Sequence, residues 1–192
     1  MTHFDSDRLL HDVVGRSGGY LRANRYVVTI TPPEGLRYDS ASIYRIGANC
    51  MAAGMPGRSF ATAEYEQGGV APMQQIPHMT MFRPYAVDFY ISADAVERKF
   101  FEEWAEMVQD IDTGQLEYID NFAGSLTFEA YGRIAGQPPA VSFELEAAWP
   151  IDIGDVRMAY ADQDQVAVLP VVFSFWKARR IRIDGERQTR FR

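Results

Sequence analysis

The apolar and polar positions are most clearly ordered in Tyr85–Asp110, YAVDFYISADAVERKFFEEWAEMVQD. Tyr85 to Ile91 is rich in aromatic and β-branched residues, which favour a pleated, half-buried strand. The period then changes. Val96, Phe100, Trp104 and Met107 recur at three- and four-residue steps, joined by Phe101 and Val108. They predict an amphipathic helix over about 93–109. Ser92 or Asp94 can cap its start, and Asp94 with Glu97 has capping-box spacing. Glu97, Arg98, Lys99, Glu102, Glu103 and Glu106 are expected on the opposite, polar face.

Elsewhere the pattern is that of strands. Asn24–Thr31 is one, stopped by Pro32-Pro33, and Ile43–Met51 reads as a second. Ala123–Ile134 and Ala140–Trp149 read as a hairpin around GRIAGQPP. Leu126, Phe128 and Ala130 face one way, and Thr127, Glu129 and Tyr131 the other. On the partner strand Val141, Phe143, Leu145 and Ala147 oppose Ser142, Glu144 and Glu146. Trp149-Pro150 is expected to end that strand. A short extended piece follows at Arg157–Tyr160, and Val166–Ile183 is the last strand, with Pro170 marking an irregularity or an edge position. The prediction is a mainly β body, α+β by content, with one substantial helix laid on it.

Two regions do not fit this pattern. Residues 1–22 form an arm in which Leu9, Leu10, Val13 and Val14 suit one short helix. Ala52–Pro84 is a long inter-strand loop, broken by Gly54, Pro56-Gly57, Gly68-Gly69, Pro72 and Pro77, with a brief extended run at Ser59–Tyr65. Loops of this length are commonly functional. The apolar Met73, Ile76, Met79, Met81 and Phe82 within it predict contact with a partner. The chain is therefore expected to be one domain over 1–192, with an N-terminal arm (1–22), a core (23–183) and a basic tail (184–192).

Charge adds an asymmetry. The net charge is −7 and the pI about 5.0, so extensive wrapping of nucleic acid, which needs Lys and Arg against phosphate, is not expected. Lys177–Arg192 carries seven basic residues against Asp184 and Glu186, a +5 segment on a −12 body. Such a segment predicts electrostatic pairing with another surface, including that of another copy. No apolar run approaches the ~18 residues of a membrane span, so no membrane anchor is expected. The N-terminus lacks the basic start and apolar segment of a leader, and the chain is expected to fold in the cytoplasm.

Catalytic patterns are sparse. The histidines are His3, His11 and His78, without HxxxH or HExxH spacing. GxxxxGKS and GxGxxG are absent. The single cysteine, Cys50, reads as a small buried apolar residue. Glu129, Glu144 and Glu146 are the best candidates for paired carboxylates, and they read as a solvated acidic strand face. No catalytic residue, cofactor or metal is expected.

Four segments, in order, resemble the tail tube proteins of contractile-tailed bacteriophages, of the T-even type. They are NRYVVTI (Asn24–Ile30), MPGRSFATAEY (Met55–Tyr65), VDFYISADAVERKFFEEWAEMV (Val87–Val108) and FELEAAWPIDIGDVRMAYADQDQV (Phe143–Val166). The resemblance covers about residues 20–180. It implies an antiparallel β-barrel or sandwich protomer with one flanking helix. It implies hexameric rings stacked into a tube inside a sheath, part of a virion tail assembled in the host cytoplasm, with DNA passing through the bore without specific binding. The implied partners are further copies of the chain, the tail sheath and baseplate or tube-initiator proteins. The same fold serves in type VI secretion tubes and in tube-initiator rings. The long arm and basic tail leave an end ring or the tube of a phage-like injection system as alternatives. A small β-barrel ligand binder or hydrolase is the alternative of another class.

On this reading Met55, Pro56, Gly57, Arg58, Met73, Ile76 and Met79 are candidates for ring stacking. Glu129, Glu144 and Glu146 are candidates for the bore. Glu102, Glu103, Glu106, Arg179, Arg180 and Arg182 are candidates for contact with a neighbouring subunit or sheath.

Overall fold

The computed structural model describes residues 20–65, 74–132, 136–160 and 165–181. The expected N-terminal arm up to residue 19, residues 66–73 of the expected long loop and the expected tail from 182 onward lie outside the described residues. The strands are β1 (Tyr26–Thr31), β2 (Cys50–Ala53), β3 (Arg58–Tyr65), β4 (Gln74–Phe82), β5 (Tyr85–Tyr90), β6 (Gly124–Ala130), β7 (Val141–Ile153), β8 (Val168–Ser174) and β9 (Lys177–Ile181). The helices are α1 (Ser40–Ala48), α2 (Val96–Val108) and the short α3 (Ile119–Phe122).

One long antiparallel sheet runs β1-β6-β7-β8-β5-β2, with β9 also paired to β7. β7 is its hinge. Its first half pairs with β6 and β9, and its second half with β8. Between them Ala147 takes φ 50°, and the β6–β7 register shifts between Gly124 and Leu126. A bulge of this kind bends a strand and strengthens its twist, so one strand can serve two differently inclined halves of a sheet. The sheet curls until its end strands meet. There the Tyr26 hydroxyl donates to the Met51 carbonyl at 2.6 Å. The result is the barrel-like antiparallel body expected from the sequence.

The core fills that curl. Val28 and Ile30 of β1, Val87 and Phe89 of β5, Leu126 and Phe128 of β6, and Leu169, Val171 and Phe173 of β8 all point inward. α2 covers them with Phe100, Phe101 and Trp104, each fully buried. The rings pack edge to face: Phe100 on Phe101 at 5.1 Å, Phe100 on Trp104 at 5.7 Å and Phe101 on Phe173 at 5.8 Å. Such pairs add about 0.5–1.5 kcal/mol beyond the area they bury. The Trp104 Nε1–H donates to the Phe122 carbonyl at 2.7 Å, which satisfies a buried donor and fixes α3 against α2. A Cβ on Gly124 would lie 2.4 Å from the Thr31 carbonyl and 2.9 Å from the Trp104 ring, so only glycine allows this approach.

Several strand expectations give way. Residues 43–51 are not a strand: Ser40–Ala48 is helical and only Cys50–Ala53 is extended. Gly47 allows this helix to lie on β1, since a Cβ there would meet the Val28 carbonyl at 2.5 Å. α2 is thus not the one substantial helix. Pro150 does not end β7, which continues to Ile153. Pro150 sits beside a register shift with β8, where a missing N–H is tolerated. Pro170 falls in a central strand, not at an edge, at the point where β7 ends and the Gly154 N–H reaches its carbonyl. Residues 157–160 form no strand. The last strand is broken into β8 and β9 at Phe175-Trp176.

The start of α2 also differs. Glu97 is fully buried, not on the polar face. Asn49 Nδ2 donates to its Oε1 at 2.7 Å, and the Ser92 N–H to its Oε2 at 3.0 Å. Ser92 Oγ lies 2.6 Å from both Glu97 Oε2 and Asp94 Oδ1, and its single proton serves one of them at a time. Burial pushes the Glu97 carboxyl up, but the bonds from Ser92 and Asn49 outweigh it and the net shift is down. Asp94 is held at about 2 by the Ser92 bond and by Arg45, whose Nη2 donates to Oδ2 at 2.8 Å.

Two predictions follow from this core and cap. Trp104→Ala should cost about 3–5 kcal/mol in urea unfolding. Trp176→Ala, at an exposed site, should stay within about 0.5 kcal/mol. Equal effects would contradict the packing described. The Asp94 carboxyl has a depressed folded pKa, so its contribution is complete above the ordinary carboxylate range and is lost as the pH falls toward about 2. An NMR titration should place its midpoint near that value, and Arg45→Ala should raise it. A normal midpoint in the unaltered chain would refute the cap network.

Candidate assembly interface

β3 and β4 form a separate two-stranded sheet. The segment expected to be a long loop is thus a hairpin, and its ladder runs from Arg58↔Phe82 to Tyr65↔Gln74. The register slips between Ala61 and Thr62. That slip hides the strand period from the sequence. Directly opposed residues share a face. The pairs Ser59↔Met81, Ala61↔Met79 and Ala63↔Ile76 therefore make one largely apolar face. Nothing in the described chain covers it: Ile76, Met79 and Met81 are about half exposed, as is Phe60 on the other face. A hairpin with no third strand and no covering helix is marginal alone in water. At its base Phe82 packs on Phe175 at 5.5 Å, which ties it to the β8–β9 junction. Of the stacking candidates, Met55, Gly57 and Arg58 are exposed just before or at the start of β3, with Pro56 half-buried among them. Ile76 and Met79 lie on β4. Met73 lies outside the described residues.

The three acidic strand candidates share one face of the curled sheet. Glu144 is opposite Thr127 and Glu129 is opposite Ser142. Glu146 is two residues beyond Glu144 on the same face. β9 adds what the sequence did not reveal. It sets Arg179 opposite Glu144 and Lys177 opposite Glu146, and Arg179 Nη2 sits 2.8 Å from Glu146 Oε1. Tyr131 donates to Glu129 Oε2 at 2.8 Å. The face is therefore a mixed lattice of charge, and two of the basic residues near the tail begin on it. Arg180 points to the other face of β9, opposite Phe143. Arg182 lies outside the described residues.

Glu102, Glu103 and Glu106 are exposed on the outer side of α2, where Glu102 pairs with Arg98. Glu106 opens onto a groove of about 890 Å³ between α2, the Pro32–Gly35 turn and the loop before α3. Asn121 and the backbone of Tyr118 hold the Glu117 carboxylate there, and hydrogen bonds lower its pKa. The Cys50 thiol is pushed up to about 11, chiefly by burial, and so is neutral at pH 7. No group of three His, Cys, Asp or Glu among the described residues could hold a metal. No helix among them is long and apolar enough to cross a membrane.

A protein-family model for phage tail tube protein matches residues 21–178. The chain belongs to the phage tail tube protein family. Solved structures share its tail tube fold at low identity. A chain of the extracellular contractile injection system PVC, from the sheath/tube terminator in the extended state, aligns with a TM-score of 0.59 and 14% identity over 85% of this chain and 97% of that one. A chain of the anti-feeding prophage baseplate aligns at 0.60 and 10%, over 84% and 95%. A chain of the PVC sheath-tube complex aligns at 0.56 and 12%, over 93% and 99%. At these identities the likeness establishes the fold. No curated protein matches the chain.

The hairpin gives a direct prediction. Ile76→Asp with Met79→Asp should leave the thermal midpoint of the dispersed protein nearly unchanged, since both side chains are exposed. The same pair should abolish association in sedimentation velocity. Association at the unaltered level would remove the hairpin from the interface.

Proposed function

We propose that the chain is a structural subunit that forms six-membered rings, stacked into the inner tail tube of a contractile-tailed bacteriophage. The tube is the conduit for DNA ejection. The uncovered apolar hairpin carries this reading, because a face of that kind on a family member needs further copies of the chain to cover it. Met55–Arg58 and the β4 residues Ile76 and Met79 make the ring-to-ring contact. The tail sheath wraps the assembled tube, and the baseplate starts it.

The sheet face with Glu129, Glu144 and Glu146 lines the bore. Arg179 and Lys177 on the same face offset part of the acidic charge. A lining of alternating sign gives DNA phosphates no continuous cationic track to hold, which suits passage without specific binding. The chain works by assembly and carries no enzymatic chemistry.

A second reading is an end ring, either a tube initiator at the baseplate or a terminator. The fold likeness to chains from a baseplate and from a sheath/tube terminator favours it. Negative-stain microscopy of the concentrated protein separates the two. Six-fold rings that elongate into tubes are expected for the repeating subunit, and rings that stop at one or two layers for an end ring. Strictly monomeric particles would refute both. Lysine at positions 129, 144 and 146 should leave tube length unchanged and slow DNA ejection from reconstituted particles. Unimpaired ejection would take this face out of the bore.

A further inference from the structure

The hairpin and the mixed-charge sheet face leave one large surface feature unused. The groove beside Glu106 is lined by five carboxylate residues, Glu34, Glu106, Asp110, Glu117 and Asp120, and by no lysine, arginine or histidine. The loop that forms its outer wall also exposes apolar side chains. Ile111 is 82% exposed, Leu116 68% and Tyr118 78%, and none is covered by the described chain. Acidic lining beside uncovered apolar groups calls for an occupant that is basic and partly apolar.

The chain itself contains such a segment. Residues 187–192, RQTRFR, carry three arginines and a phenylalanine without an acidic side chain. The strand directions say where that segment starts. β9 runs antiparallel to β7 and ends with Ile181 opposite Ser142. That end of the sheet is the one marked by Tyr26, Ala130 and Val141. The groove lies at the other end, where Thr31 pairs with Ser125 and Gly124 begins β6. β9 therefore ends at Ile181 roughly one strand length, about 17 Å, from the groove of its own chain, and runs away from it. In a head-to-tail arrangement, that end of β9 faces the groove end of the next copy. A contact between two different surfaces of identical chains is heterologous and propagates.

We infer that the acidic groove of one subunit receives the basic tail, residues 182–192, of a second copy stacked on it. This rests on the ring-stacking reading above and names a second tie between layers, distinct from the hairpin. The tie is electrostatic at its arginines and so weakens with salt, unlike the apolar hairpin contact. Eleven extended residues reach about 36 Å, enough to span the gap between copies.

Charge reversal in the full-length chain tests it. Arg187→Glu with Arg190→Glu should raise the concentration for half-assembly about tenfold at low salt. Glu106→Arg with Asp120→Arg should do the same, because neither carboxylate is engaged in a hydrogen bond or ion pair among the described residues. The two reversed pairs combined in one chain should recover most of the loss. Failure of recovery, or no effect of either pair, overturns the inference. A second readout does not depend on tubes. In a Cys50→Ala background, chains with Asp120→Cys are mixed with chains with Thr189→Cys. A disulfide-linked dimer in the mixture is expected. No linked dimer beyond what each variant forms by itself overturns it. Absence of rings under all conditions would strike the ring-stacking reading, while tubes indifferent to these reversals would strike this inference alone.

Discussion

The indole of Trp104 is the point on which the protein depends. Its ring is fully buried against Phe100 and Phe173, and its N–H is bonded to the Phe122 carbonyl. A buried indole without a partner would lose the desolvation cost of its donor, about 1–3 kcal/mol. With the partner, one side chain joins α2 to the sheet and to α3. Gly124 then has no room for a side chain, which sets where β6 begins. The start of β6 fixes its register with β1 and β7, and the bulge at Ala147 lets β7 turn from one half of the sheet to the other. A curled sheet with a covered interior is the consequence.

Against that curled body the hairpin and the groove stand out. Every strand of the large sheet has its inward face filled by the shared core. β3 and β4 have no such core and carry methionine, isoleucine and phenylalanine into solvent. On the proposed reading, stability of the body and association of copies are separated in the chain: the first resides in α2 and the large sheet, the second in the β3–β4 hairpin. The α2 cap network follows the same division. Ser92, Asp94, Glu97, Asn49 and Arg45 hold the helix start and α1 together, away from the exposed acidic outer side of α2.

Much of the body was legible because its periods are clean. The step from period two to period 3.6 at Ser92 marks β5 and α2, and strict alternation marks β6; in β7 the bulge at Ala147 breaks it and puts Ala148, not Ala147, in the core. The misses have physical causes. Ser40–Ala48 contains Ile43 and Tyr44, which favour strands, yet Ile43 and Ile46 are three apart and Asp39-Ser40 precede them, a helix signal that tertiary packing on β1 completes. Glu97 was assigned to the polar face by its charge, although it stands three, four and seven residues before Phe100, Phe101 and Trp104, on the buried stripe. Pro150 reads as a stop, and the bulge beside it removes the reason. In β3–β4 the slip after Ala61 breaks alternation, and Pro77 adds to the appearance of a loop. The pairing of Arg179 with Glu146 is a cross-strand contact between residues 33 positions apart, which no local pattern encodes.

The central claim is that the hairpin is covered only when copies assemble. Hydrogen exchange compared between the dispersed and the assembled protein tests it most directly. The account predicts that amides of residues 58–65 and 74–82 exchange rapidly in the dispersed chain and become protected on assembly, while those of β5 and β8 stay protected in both. Equal exchange of the hairpin in the two states would contradict it.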